Sequence, residues 1–216
     1  MHVLITGANR GIGRGLYQAY SHRGDRATGT TRGAATGLGM LSADVADPAS
    51  IRAMAERYGD QPLDLLICNA GVYPAKGADL ADGYAPADWA HAFAVNVTGV
   101  FLTVQSLLPN LRAAKGKIAI LASVMGSQAG APGGAYIYRA SKAAAINLGR
   151  NLAADLAPEG IAVGLYHPGW VQTDMGGAGA AIDTATSVAG LVARFDALSV
   201  ATTGIYEDYA GVPIPF

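Results

Sequence analysis

The sequence predicts a single-domain α/β fold, a doubly wound parallel sheet with helices on both faces, and three observations predict it. Short apolar runs alternate with helical patterns along most of the chain, the order that builds parallel sheets through helical crossovers. Hydrophobic residues make up 51% and charged residues 14% of 216 residues, enough for one sizeable buried core. Glycine is abundant, at 29 residues, but it gathers at turns after the apolar runs, with no repeat and no linker.

Residues 3–5, Val-Leu-Ile, form the first strand, and a glycine turn joins them to a helix over 12–23. Residues 26–31 read as a second, less apolar strand, and 40–43 as a short third. A helix over 48–58 carries Pro48 in its first turn, where the missing N–H is no loss. Residues 63–68 are a strongly apolar strand that takes up Cys68 as a small buried hydrophobe. A long helical pattern spans 86–114, and the strand over 117–122 ends at Ser123. A helix over 135–156 and a strand over 161–166 follow; a helix over 184–198 precedes a last short strand near 203–206. In such a Rossmann-like sheet the ligand lies at the carboxyl ends of the strands. The first glycine turn, Asn69-Ala70-Gly71, Ser123 and Pro168-Gly169 all follow strands, so they meet along that edge.

Composition excludes several partners. Fifteen basic and 16 acidic residues give a net charge of -1 with no basic stripe, which argues against nucleic acid. One cysteine cannot make an internal disulfide framework or a cysteine-based metal site. His2, His22, His91 and His167 are scattered, so no histidine metal site is expected, and His167 reads as a packing residue. No continuous apolar run has the length of a membrane span, and no export signal precedes the first strand. The expectation is a cytoplasmic protein without a membrane partner.

Two motifs carry chemistry. Thr6-Gly7-Ala8-Asn9-Arg10-Gly11-Ile12-Gly13 joins a strand to a helix amino terminus, where glycine allows close backbone approach and the helix end favours a pyrophosphate. Its glycine spacing differs from the commoner dinucleotide fingerprint. Tyr138 and Lys142 lie four apart at the head of an alanine-rich helix, which stacks them on one face. A cation there favours the phenolate and brings a poor acid toward useful range. Tyr136 competes for the role, but only Tyr138 has a lysine four residues on.

With Asp44-Val45, Asn69-Ala70-Gly71, Asn96, Ser123 and Pro168-Gly169 in the same order, the chain resembles the short-chain dehydrogenase/reductase family over essentially its whole length. It resembles the compact branch and, from its last eleven residues (206–216), the small carbonyl-reductase-like members. The resemblance implies an oxidoreductase moving a hydride between a nicotinamide cofactor and a small carbonyl or alcohol substrate. Gly7, Asn9, Arg10, Gly11, Ile12 and Gly13 would then cradle the phosphates. Asp44 and the Val45 backbone would hold the adenine, and Asn69, Ala70 and Gly71 would line the cofactor floor, tied to the first turn through Thr6. Asp47 is the better candidate to cap the following helix.

Thr31 stands where an acid would bond the ribose hydroxyls, and Arg32 follows it. Arginine suits a 2′-phosphate, and Arg10 could reach the same group, so NADP(H) is favoured over NAD(H). By resemblance Tyr138 is the acid/base, Lys142 lowers its pKa and bonds the nicotinamide ribose, and Ser123 holds the substrate oxygen. Asn96 would hold open the long helix and support a proton-relay water. Pro168, Gly169, Val171 and Thr173 would support the nicotinamide. Ser123 stands fifteen residues before Tyr138, two more than is typical of the family; Ser127 is the rival. Residues 174–187, glycine-rich and without arginine or lysine, suggest a short mobile or open lid over a mainly apolar pocket. Apolar helices near 90–114 and 138–156 suggest a homodimer or homotetramer.

Overall fold

The computed structural model describes residues 1–35, 37 and 39–216. Seven strands, β1 (His2–Ile5), β2 (Arg26–Thr31), β3 (Met40–Ser42), β4 (Leu65–Cys68), β5 (Lys117–Leu121), β6 (Ala162–His167) and β7 (Tyr206–Asp208), form one sheet. Its order is β3-β2-β1-β4-β5-β6-β7, and every pairing is parallel. Connections run outward in both directions from β1 and β4, which makes that pair the switch point where crossover loops part.

Period-two alternation splits each central strand between two cores. Leu4, Leu66, Cys68, Ile118 and Ile120 face α2 (Pro48–Tyr58), α4 (Gly99–Ala114) and α5 (Tyr136–Leu156). Val3, Ile5, Leu65, Ile67, Ala119 and Leu121 face α1 (Gly11–His22) and α6 (Thr184–Ala197). Burial on both faces is why these strands read as unbroken apolar runs.

Several expected boundaries move. Leu63 N–H donates to Asn110 O, so the fourth strand begins at Leu65 rather than at 63. The last strand lies later than 203–206: Thr203 N–H and Ile205 N–H bond back to Val200 O and Thr202 O, closing a tight turn first. The pattern over 86–114 is α3 (Pro86–Phe93), a five-residue π-turn (Ala94–Thr98) and α4. This run has the length and mean hydropathy, 1.5, to cross a membrane by composition, which qualifies the sequence expectation; here it packs against α2, α5 and the sheet.

Gly149 fixes how closely α5 approaches the sheet. A Cβ there would run into Leu165 and come within 3.1 Å of Ile120 Cδ1. Adding methyl groups to such a contact overpacks the core. We expect Gly149→Val to lower stability by about 1–3 kcal/mol in urea unfolding, although glycine is ordinarily the poorer helix former.

Candidate active site

The loops after β1, β2, β4, β5 and β6 enclose a cleft of about 770 Å³. At one end the glycine turn is tied to the β4 loop. Thr6 Oγ1 accepts from Asn69 N–H and Ala70 N–H at 3.0 Å each, and Asn69 Nδ2 donates to Thr6 O at 2.8 Å and Gly7 O at 3.1 Å. Gly7 and Gly11 sit at φ +68° and +52°, and a Cβ on Gly13 would collide with Gly7 O and the Asn69 amide. The turn is therefore a backbone cradle that a side chain would fill, with α1 starting beneath it. These residues fit a pyrophosphate.

Gly7, Asn9, Arg10, Gly11, Ile12, Gly13, Thr31, Arg32, Asp44, Val45, Asn69, Ala70 and Gly71 all line this cleft, as the sequence leads one to expect. Asp47 caps α2 by accepting from Ala49 N–H at 2.9 Å. Asp44 faces the cleft while its carboxylate accepts from Ala46 N–H at 2.9 Å. Arg32 is exposed at the rim and makes no ion pair among the described residues. Arg10 differs: its guanidinium bonds Asp174 at 2.9 Å across the cleft mouth.

At the other end Tyr138 and Lys142 project from the first turns of α5, both buried. Ala135, just before that helix, is held at φ +50°, an uncommon conformation for a residue with a Cβ. Ser123 is buried at the end of β5, where its hydroxyl accepts from Met125 N–H at 3.2 Å and acts to lower the pKa of the Tyr138 phenol. Ser127 does not compete, because its hydroxyl donates to Pro215 O. Lys142 Nζ donates to Leu121 O at 2.7 Å and lies 5.7 Å from the Tyr138 ring centre. A Cβ on Gly71 would be 3.4 Å from Asn96 Oδ1 and 3.6 Å from Lys142 Nζ, so all three groups converge there.

Asn96 occupies the π-turn and is fully employed. Its amide exchanges bonds with Val72 N–H (2.9 Å) and Val72 O (3.0 Å) and donates to Ser141 Oγ at 3.0 Å. It joins the β4 loop to α5 by direct bonds. A π-turn costs helix regularity and recurs at functional sites.

Electrostatics correct one expectation. Burial pushes the Tyr138 phenol up to about 12, and the nearby Ser123 hydroxyl pulls only part of that back. Burial also lowers the Lys142 ammonium to about 8. Desolvation, which disfavours both charged forms, outweighs the lysine's bias toward phenolate in the protein alone.

Other expectations are refined. Pro168 and Thr173 line the cleft, whereas Gly169 and Val171 do not, and Ser123 and Asn96 are buried just behind its wall. Gly169, at φ +88°, packs under Ile182 and Tyr209, and Val171 is buried in a bridge to Ile182. The expected lid over 174–187 is shorter, because α6 begins at Thr184. Its approach is tied down by Gln172 N–H to Ile182 O at 2.9 Å and by Gln172 Nε2 to Ala180 O at 3.1 Å. Nor is the mouth free of cations, since Lys76 Nζ donates to Met175 O at 3.0 Å.

Sequence reasoning missed Thr30, whose hydroxyl accepts from Gly7 N–H at 3.2 Å. It also missed Tyr73, stacked on Tyr138 with ring centres 4.2 Å apart. His167 is half-buried outside the cleft, and its Nδ1 has no hydrogen-bond partner among the described residues. No cluster of metal-ligating side chains occurs among the described residues.

A family model described as short chain dehydrogenase matches residues 1–181. The chain is 41% identical over 169 residues to C-signal of Myxococcus xanthus, covering 77% of this chain and 100% of that protein. NADPH-bound carbonyl reductase from chicken fatty liver superposes with a TM-score of 0.89 at 30% identity, covering 100% of this chain and 98% of that one. Carbonyl reductase Sniffer of D. melanogaster gives a TM-score of 0.92 at 28% identity, covering 100% and 99%.

The buried lysine has a measurable signature. Between pH about 8 and 10.5 the unfolded chain binds more protons at this side chain than the native one, so stability rises with pH across that window. We expect Lys142→Met to be more stable than wild type at pH 7 by up to about 3 kcal/mol. The difference should shrink as pH rises through the window, read by denaturant unfolding at each pH.

Proposed function

The chain belongs to the short-chain dehydrogenase/reductase family of oxidoreductases, and from that premise we propose that it reduces small, mainly apolar carbonyl compounds, or oxidises the matching alcohols, with NADP(H). The observation that carries this reading is that Tyr138 and Lys142, one turn apart on α5, line the same cleft that the glycine cradle closes at its far end.

When bound, the cofactor supplies a hydride to the carbonyl carbon or accepts one from the alcohol carbon. In reduction Tyr138 gives its phenolic proton to the carbonyl oxygen; in oxidation it takes the alcohol proton. Ser123 holds that oxygen. Burial keeps Tyr138 protonated at neutral pH, which suits the reductive direction. Lys142, anchored on Leu121 O, is placed to bond a ribose hydroxyl and to restore proton supply. Asn96 keeps the β4 loop and α5 in register so that this pair faces the cleft, and a relay water belongs to the same reading. Pro168 and Thr173 support the nicotinamide.

For the cofactor, Thr31 in place of an acid and Arg32 at the rim, with no ion pair among the described residues, favour a 2′-phosphate. The NADPH in the chicken carbonyl reductase supports the same choice. An apolar substrate end is supported by the Tyr73 ring against Tyr138 and by Met175 beside the cleft. A cytoplasmic setting and subunit pairing through α4 and α5 belong to the same proposal.

One observation favours a second reading, a nucleotide-binding signalling protein on the same fold: the 41% identity to C-signal. A panel of small aromatic aldehydes and aliphatic ketones, followed by NADPH and NADH absorbance, separates the two. Turnover supports the reductase; tight NADPH binding with no turnover across the panel supports the signal. We expect Tyr138→Phe to lower kcat at least about a thousandfold with NADPH affinity intact, and near-wild-type turnover would remove the proposed acid. Arg32→Ala should narrow the NADPH-over-NADH preference in kcat/KM, and an unchanged ratio removes Arg32 from cofactor choice.

A further inference from the structure

We propose that Tyr206, on β7 and beyond the family match that ends at residue 181, is a positioning residue for the Ser123–Tyr138 pair. The inference rests on the reductase reading for its kinetic consequence but not for its geometry.

Ser123 stands where the chain leaves the sheet. Ala122 N–H still reaches Tyr166 O at 2.8 Å, but the Ser123 carbonyl has no strand partner. A three-residue 3₁₀ turn (Val124–Gly126) follows, and turns of that kind hold their geometry poorly. Two donors fix the carbonyl instead: Gly126 N–H at 2.8 Å and the buried Tyr206 hydroxyl at 2.6 Å. The phenol comes from two strands away, passing β6. With both lone pairs occupied, the serine's backbone cannot rotate without breaking a buried bond.

Tyr206 is itself held. Its backbone O accepts from Ile214 N–H at 2.9 Å, and its ring packs against Phe216 with centres 5.5 Å apart. Pro215, in the same segment, accepts the Ser127 hydroxyl. One short segment thus pins both ends of the turn that presents Ser123. The two extra residues between Ser123 and Tyr138 make such a brace necessary, because a longer loop leaves the serine less constrained from the α5 side. Tyr206 does not line the cleft, so it acts through Ser123 and not on substrate.

The test compares wild-type and Tyr206→Phe full-length protein labelled with 13Cζ-tyrosine, with the Tyr138 resonance assigned through Tyr138→Phe. We expect the resonance to move at neutral pH in Tyr206→Phe, because Ser123, freed from the Tyr206 hydroxyl, shifts its own hydroxyl relative to the phenol. With the best carbonyl compound of the panel, kcat should fall about tenfold while KM for NADPH stays within about twofold. An unmoved resonance, or kcat within about twofold of wild type, overturns the proposal. A moved resonance in Tyr206→Phe, together with a wild-type protein that reduces nothing, overturns only the reductase reading. If Tyr206→Phe does not fold, Ser127→Ala cuts the second tie outside the core and is read in the same way.

Discussion

The structure depends on the splice between the loops that part at the β1/β4 switch point. Parallel strands leave their carboxyl-end loops without ladder partners, and the cleft between two diverging loops would otherwise have no fixed width. Thr6 and Asn69 close that gap with four bonds that satisfy backbone and side-chain groups reciprocally. The splice permits the glycine turn to run against the Asn69 amide, and only residues without a Cβ tolerate that approach. A second splice, Asn96 to Val72 and Ser141, carries the constraint onward to α5. The nucleotide end and the Tyr138 end are thereby one mechanical unit, although 131 residues separate Gly7 from Tyr138 in the chain.

The same packing that builds the unit makes its ionisable groups uncomfortable. Burial pushes both Lys142 and Tyr138 toward neutrality; at neutral pH only the lysine, charged in the unfolded chain, costs the fold stability. A cluster of groups shifted against their charged forms, on the wall of a cleft, is what a site for proton transfer requires. A merely structural lysine would extend its head to water, as long cationic side chains generally do. Lys142 instead spends its ammonium on a backbone carbonyl at the end of β5, the strand that also delivers Ser123.

What could be read from the sequence was local. The glycine turn, the Tyr138–Lys142 spacing, the Asp47 cap and the alternation of strands and helices follow from neighbours within a few residues, and the structure contains them. What could not be read was contact between distant segments. The bond that occupies the rival Ser127 hydroxyl comes from Pro215, 88 residues away. Thr30, Tyr73 and Tyr206 carry no local signal, since a threonine in a strand or a tyrosine in a core is ordinary. The boundary miss at Leu65 has the same origin, a bond to the remote Asn110 carbonyl, whereas the one at Tyr206 is local: a tight turn over residues 200–205 took positions that pattern alone assigned to a strand. The direction of the Tyr138 shift was misjudged because spacing reveals the nearby cation and conceals the burial.

The two arginines at the nucleotide end are not equivalent, and their difference bears on how the cleft chooses a ligand. Arg10 is bonded to Asp174, but the pair is exposed, and an exposed ion pair contributes about 0–1 kcal/mol. A phosphate dianion offers more charge and more acceptors than one carboxylate, so Arg10 can exchange partners at little cost. Arg32 has no partner to give up among the described residues and faces the cleft from the end of β2. Under the NADP(H) reading Arg32 therefore sets the preference, and Arg10 couples it to the mouth: moving Arg10 onto the ligand releases Asp174, whose neighbour Met175 is held by Lys76.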